Sequence, residues 1–154
     1  MKKQNSIYIK LIVAAFMFLT IFALPVQAAK NGSITIIDKT YEGKQLENIN
    51  VKLYKVADFT DNSRSEIVMK DAFKDFELDI DKLVSSDALE ESARLCESFI
   101  REHSIKPLAT TITDENGKAV FSDISDGIYL VMQSQVNSDE YTVTSVPFYV
   151  QDRK

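Results

Sequence analysis

Alternating apolar and polar residues predict β-strands in the first and last thirds of the chain after residue 31. Residues 32–37 and 50–56 alternate and are rich in β-branched side chains, which is typical of half-buried strands. Residues 128–133 are apolar at nearly every position, so we expect a strand that is covered on both faces. Residues 76–81 alternate as well, with acidic side chains on one face, and predict a further strand. A polar segment, 58–65, predicts a loop.

In the middle of the chain the apolar period changes from two residues to that of a helix. The apolar and small residues that recur three and four positions apart are Leu83, Ala88, Leu89, Ser92, Ala93, Leu95, Cys96, Phe99 and Ile100. This stripe predicts an amphipathic helix over 87–103, capped by Asp87 together with Glu90. We expect it to pack on the sheet through Leu89, Ala93, Cys96, Phe99 and Ile100.

The segment after Pro107 returns to strands separated by turns. Residues 110–113 and 118–121 flank an Asn116-Gly117 pair, the dipeptide that most strongly favours a two-strand hairpin. Turns are also predicted at 123–127 and 137–140, and a last strand within 141–150. Together the pattern predicts a mainly β protein: an immunoglobulin-like β-sandwich of about seven strands, with one inserted amphipathic helix at about 82–104.

The N-terminus has the three parts of a secretory signal peptide. Lys2, Lys3 and Lys10 precede the apolar run 11–24, and Val26-Gln27-Ala28 supplies small residues for cleavage before Ala29. The run is shorter than the roughly 20 residues that span a bilayer; an uncleaved anchor is the alternative. We therefore expect a signal peptide at 1–28 and one domain at 29–154, exported by the general secretory pathway to the extracellular space or cell wall surface.

Charge and cysteine content narrow the function classes. The chain has 18 basic and 23 acidic residues and a formal net charge of −5, and three of the lysines lie in the signal peptide. An acidic domain without a basic cluster argues against nucleic acid and against an anionic membrane surface as partners of the mature form. The only cysteine, Cys96, excludes an internal disulfide.

Four segments, taken in order, resemble one known family. They are residues 32–36 (GSITI), 51–57 (VKLYKVA), 113–131 (TDENGKAVFSDISDGIYLV) and 146–150 (VPFYV). The chain resembles, over roughly 32–150, the N-terminal domain of Gram-positive sortase-assembled pilins, the SpaA type with a CnaB-like fold. The resemblance implies a CnaB-like β-sandwich and a place at the cell surface.

Two features of this family have no clear counterpart in the sequence. Family shafts are joined by sortase through a lysine after this domain and an LPxTG-type sorting signal. The 154 residues contain no such signal, and Lys154 does not stand in a pilin-motif context. Either the sequence stops before these elements or the protein acts without covalent assembly.

The resemblance also raises an internal Lys–Asn isopeptide bond, which would need a lysine on the first strand, an asparagine on the last and a buried acid. Lys39 is the best lysine, whereas Gln133 stands where the resemblance places the acid. A glutamine cannot transfer protons as a carboxylic acid does, and the last strand ends in Asp152 with no preceding asparagine. We expect no isopeptide bond.

Other chemistry has little support in the residues. Cys96 and His103 are seven residues apart on the predicted helix, about 10 Å along its axis, so a buried structural cysteine is the expectation. Asp58, Asp61, Asn62 and Glu66 could surround calcium, but their spacing does not match an EF-hand loop and solvated side chains explain them. No catalytic, metal-binding or cofactor-binding residue is assigned, and no cofactor is expected.

These observations predict a non-enzymatic structural or adhesive module at the cell surface, similar to a pilin subunit domain. Its expected partners are other pilin subunits or host surface proteins. A free secreted ligand-binding β-sandwich is the alternative, and a small hydrolase that uses two carboxylates is a third hypothesis.

Overall fold

The computed structural model describes residues 32–61, 63–137, 142–143 and 145–151. The strands in these ranges are β1 (Gly32–Ile37), β2 (Asn50–Phe59), β3 (Ile67–Met69), β4 (Ala109–Ile112), β5 (Lys118–Ile124), β6 (Ile128–Gln133), β7 (Val136–Asn137), β8 (Thr142–Val143) and β9 (Phe148–Gln151). The one α-helix in these ranges, α1, spans Ser86–Glu102, and 3₁₀ helices span Asp71–Phe73 and Ile80–Lys82. The predicted signal peptide lies outside the described residues.

The strands form two main antiparallel sheets. β1 pairs with β5, while the larger sheet has the order β3-β2-β6-β9, with β4 also paired to β2. β7 and β8 form a separate short pair. The prediction of a mainly β sandwich with one inserted helix is confirmed; β3 and β7 are additional to the predicted strands.

One hydrophobic core fills the space between the two sheets. Ile34 and Ile36 from β1 and Phe121 from β5 contact Val51 and Leu53 of β2 and the inner face of β6. Val51, Leu53, Tyr129 and Val131 are fully buried. The period of two in these strands places every second side chain in this core.

A second core lies on the opposite face of the larger sheet. Tyr54, Val56 and Leu130 from the strands meet Ala93, Cys96 and Ile100 from α1, together with Phe73. β2 and β6 are therefore covered on both faces, as the apolar run at 128–133 predicts. Because α1 buries its apolar stripe here, the helix gains its stability from packing rather than from propensity alone.

The start of α1 differs from the prediction. Ser85, in extended conformation, caps the helix, and its Oγ accepts a hydrogen bond of 3.2 Å from the backbone N–H of Ala88. Asp87 lies inside the first turn, where its negative charge interacts favourably with the positive end of the helix dipole. Glu97 and Arg101, which are four residues apart on α1, form an ion pair at 2.6 Å.

The buried stripe of α1 is also narrower than predicted. Ala93, Cys96 and Ile100 are buried and Phe99 is partly buried. Leu89 is 40% exposed and Leu95 is 58% exposed, so the prediction that Leu89 packs in the core is wrong. Leu89 instead lines an open groove of about 420 Å³ beside the first residues of β9.

The Asn116-Gly117 turn forms, but it does not join two paired strands. Asp114 N–H donates to the Lys118 carbonyl at 3.0 Å and closes the turn, yet β4 pairs with β2 and β5 pairs with β1. The predicted hairpin is wrong because a turn fixes only local geometry. Burial of Ala119, Phe121 and Ile124 against β1 determines the partner of β5.

Residues 76–81 do not form the predicted strand. Asp79 Oδ1 accepts a hydrogen bond from Asp81 N–H at 3.2 Å and caps the 3₁₀ helix Ile80–Lys82. Such local bonding of an aspartate side chain competes with strand pairing, while Phe76 and Leu78 still pack against the second core.

The predicted loop at 58–65 is shorter than expected, because β2 continues to Phe59. The predicted last strand is divided into β8 and β9, and the predicted turn at 137–140 lies mostly outside the described residues.

Candidate functional site

Three polar side chains from distant segments meet near the end of β6, where the family resemblance would place the acid of an isopeptide bond. The Nε2 of Gln133 donates to both carboxylate oxygens of Asp38, at 2.6 and 2.7 Å. The Oε1 of Gln133 accepts a hydrogen bond from the hydroxyl of Ser145. We call Asp38, Gln133 and Ser145 the clasp. It connects the end of β1, the end of β6 and the segment that leads into β9.

The backbone around Asp38 holds its carboxylate in place. Asp38 N–H donates to the Gly117 carbonyl at 2.8 Å, and the Asp38 carbonyl accepts from Leu46 N–H at 3.0 Å. Ile34 and Ile36 point into the core, so the alternation of β1 carries Asp38 to the same inner side. The clasp thereby connects the β1–β5 sheet to the larger sheet by side-chain hydrogen bonds.

Lys39, the best lysine candidate for such a bond, is not part of this cluster. It follows Asp38 by one residue, is exposed, and forms an isolated bridge with Gln45. The group that meets Gln133 is therefore a carboxylate rather than an amine. A carboxylate and a carboxamide can hold each other by hydrogen bonds, but this pair lacks the amine nucleophile that a Lys–Asn bond requires. Asp152 lies outside the described residues.

Burial raises the pKa of the Asp38 carboxyl above its usual value, and the hydrogen bond from Gln133 partly opposes this shift. A carboxyl whose folded pKa exceeds its unfolded pKa binds protons more readily in the folded state. Ionised Asp38 therefore reduces stability as the pH rises from its unfolded pKa through its folded pKa, and this loss persists at neutral pH.

We therefore expect Asp38→Asn to leave the unfolding free energy at pH 7 unchanged or higher, because an asparagine oxygen can still accept from Gln133 without a buried charge. The advantage over the wild type should disappear as the pH falls below about 3.8, the usual aspartate pKa. Urea unfolding at a series of pH values measures this. A variant that is less stable at pH 7 but not in acid would contradict the direction of the pKa shift.

The acidic residues that were considered as calcium ligands do not converge in the described part of the chain. Asp58 is paired with Lys55 and, at 2.7 Å, with Lys70. Asp61 accepts from the hydroxyl of Ser65 at 3.0 Å. Asn62 lies outside the described residues, and the described residues contain no group of three or more acidic, histidine or cysteine side chains placed to hold a metal.

Cys96 and His103 are also separate. Cys96 is fully buried in the second core, and burial raises the pKa of its thiol to about 12. The His103 ring lies at the end of α1, stacked on Phe99 with 4.1 Å between ring centroids. The prediction that Cys96 is buried is confirmed.

Comparison with protein families now gives the affiliation of the chain. The family described as Gram-positive pilin subunit D1, N-terminal domain, matches residues 20–151. The chain belongs to this D1 family. Membership identifies the chain as a pilin-type structural module, and the resemblance predicted from its four segments is confirmed.

Two pilins of known structure are among the chains that resemble this D1 domain. The full-length major pilin SpaD from Corynebacterium diphtheriae is 22% identical with a TM-score of 0.43, over 79% of this chain and 24% of SpaD. The pilus backbone RrgB from Streptococcus pneumoniae is 8% identical with a TM-score of 0.39, over 77% of this chain and 33% of RrgB. The chain thus spans a third or less of the length of either pilin. Among curated proteins, none matches the chain.

Within the described ranges, no helix of the D1 domain is long and apolar enough to cross a membrane.

The residues of the clasp were only partly predictable. The family resemblance singles out Gln133 at the end of β6, whereas neither Asp38 nor Ser145 is singled out. The Ile34-Ile36-Asp38 alternation was the available signal for Asp38, and nothing in the sequence marks Ser145.

Proposed function

We propose that the chain is an exported, non-catalytic structural module of the pilin type that acts at the cell surface. The observation that carries this proposal is the family match over residues 20–151. The basic, apolar and small-residue segments at 1–28 support export. The partners that fit this role are other pilin subunits and, in an adhesive role, host surface proteins.

The packing of the domain supports a structural role. β2 and β6 are covered on both faces by separate cores, so most of their backbone is shielded from water. The clasp adds hydrogen bonds between the two sheets without a covalent bond. Both features favour a domain that keeps its shape while other subunits contact it.

Surface labelling tests the proposal directly. Antibodies raised against the folded domain should label intact, unpermeabilised cells of the source organism, and a strain that lacks the gene is the control. Boiling an extract in detergent then distinguishes two modes of assembly: a ladder of high-mass bands indicates covalent polymers, and a single band of the mature mass indicates a free module. Labelling that requires permeabilised cells would contradict the proposal.

The mass of the secreted protein provides a second test. We expect the chain to begin at Ala29 and to have the full mass of its residues, because the clasp has no lysine amine. An internal amide bond would release ammonia or water and lower the mass by about 17 or 18 Da. Intact-mass spectrometry of the secreted protein measures both features. A chain that begins at Met1, or a deficit of this size, would show that the corresponding prediction is wrong.

A further inference from the structure

A polar cavity of about 610 Å³ lies between the C-terminal end of α1 and the face of β2 and β6. The residues that the argument uses are Asn50, Lys52, Tyr54, Arg101, Ile105 and Met132, all of which line it. Its volume is within the range of sites that bind small ligands. The clasp borders the cavity through Gln133, but its amide is already bonded to Asp38 and Ser145.

Asn50, which lines the cavity, has an acceptor without a donor. The Oδ1 of Asn50 is buried and has no hydrogen-bond partner among the described residues. The backbone of Asn50 is fixed, because its N–H donates to Ser134 Oγ at 3.1 Å and its carbonyl accepts from Ser134 N–H at 2.9 Å. Buried acceptors in native proteins normally have a donor, so this site is suited to a ligand that presents an N–H.

Basic side chains line the cavity. The chain has a formal net charge of −5, yet the described residues that line this cavity include Lys52 and Arg101 and no acidic side chain. Lys52 forms no ion pair with any residue in the described ranges. Arg101 bonds to Glu97 through Nε and Nη2, so its charge is already paired with a carboxylate that lies outside the lining. Lys52 is therefore the cation of this lining that is available to an anionic group, to which Arg101 can add a hydrogen bond.

The rest of the lining suits a short aliphatic stem. Met132 and Ile105 are partly buried apolar side chains of the second core, and both border the cavity. Tyr54 is 4% exposed. Burial raises the pKa of its phenol, an effect that Arg101 partly opposes, so the hydroxyl stays protonated and can donate at neutral pH.

We propose that this cavity binds an acidic amino-acid unit of a peptide or of a small N-acylated acid. Its side-chain carboxylate would lie between Lys52 and Arg101, its N–H would donate to Asn50 Oδ1, and its aliphatic stem would contact Met132 and Ile105. This inference is independent of the proposed structural role: a module that is not exported could still bind such a ligand.

The first experiment compares matched probes by NMR titration of the purified, ¹⁵N-labelled protein. N-acetylglutamate α-amide and N-acetylglutamine α-amide have the same shape and the same N–H, but only the first carries a carboxylate. We expect the acid to shift the amide signals of residues 50, 52 and 132–134 and the glutamine analogue to bind at least about tenfold more weakly. Equal binding of the two probes would overturn the proposal.

The same titration with the blocked tripeptide acetyl-Gly-Glu-Gly-amide distinguishes the source of the ligand. Saturation by N-acetylglutamate α-amide with no gain from the tripeptide supports a free acid. Saturation by the tripeptide at a concentration at least about tenfold lower supports an acidic residue within a protein chain. If the tripeptide also fails to shift these signals, the proposal is wrong.

Two variants test the assigned contacts. Lys52→Gln should weaken binding of the acid at least about tenfold, whereas Lys118→Gln, an exposed lysine on β5, should not change it. Asn50→Leu removes the unpaired acceptor, so we expect weaker binding together with unchanged or raised stability. If Asn50→Leu and Lys52→Gln bind the acid as the wild type does, the assignment of these contacts is wrong.

Discussion

Truncation of Ile100 to alanine should lower the unfolding free energy by about 2–5 kcal/mol. Ile100 is 3% exposed and lies where α1 meets Tyr54 and Leu130 of the larger sheet. Its truncation removes buried methyl groups and leaves a space that strands fixed on both faces cannot easily fill. Because small domains have a total stability of about 5–15 kcal/mol, this loss would be a large fraction of the whole.

Leu95→Ala is the matched control, because it removes a similar aliphatic group from the same helix at a position that is 58% exposed. Its cost should stay below about 1 kcal/mol. Urea unfolding of both variants, followed by circular dichroism, measures the difference. Equal and small losses would mean that α1 is not part of the second core.

Replacement of Gly117 by alanine should cost at least about 2 kcal/mol. Gly117 has a φ of +68°, and a Cβ at this position would lie 2.3 Å from the carbonyl oxygen of Asp38. That oxygen cannot move freely, because it accepts a hydrogen bond from the N–H of Leu46. The N–H of Asp38 in turn donates to the carbonyl of Gly117, which fixes the same peptide segment. The substitution therefore adds a steric clash to the unfavourable backbone conformation.

Gly43→Ala isolates the conformational part of this cost. Gly43 has a φ of +86°, but a Cβ there would meet no atom within 4 Å. We expect a loss of about 1–2 kcal/mol from its left-handed backbone alone. Denaturant midpoints of the two variants provide the comparison. If Gly43→Ala is as destabilising as Gly117→Ala, the contact with Asp38 does not determine the cost.

The sequence predicts the strands and the helix of this fold better than it predicts which strands pair with one another. Burial imposes a period of two on β1 and β2 and a continuous apolar run on β6, so these strands could be predicted from residue pattern alone. The partner of β5 could not, because the Asn116-Gly117 turn has the same local chemistry in a hairpin and in a connection between sheets. Leu89 shows the same limit: its place on the stripe is local, whereas its exposure of 40% depends on which other segments cover the start of α1.

The clasp was difficult to predict for a related reason. Asp38 continues the inward alternation of Ile34 and Ile36, but a charged residue at a strand end is usually solvated, and its partner is 95 residues away. Lys39, one residue later, has the amine that an isopeptide bond requires, but its side chain is exposed. The polar cavity had no sequence signal, because Asn50, Lys52 and Arg101 come together only when α1 packs on the sheet.

The buried thiol of Cys96 gives this domain an internal reporter of its own opening. Cys96 is the only cysteine in the chain, and its thiol is protected both by complete burial and by a pKa of about 12. A thiol reagent can modify it only when α1 lifts from the sheet or the whole domain unfolds. The labelling rate, measured under increasing concentrations of denaturant, therefore shows whether the helix detaches separately or only together with the sheets.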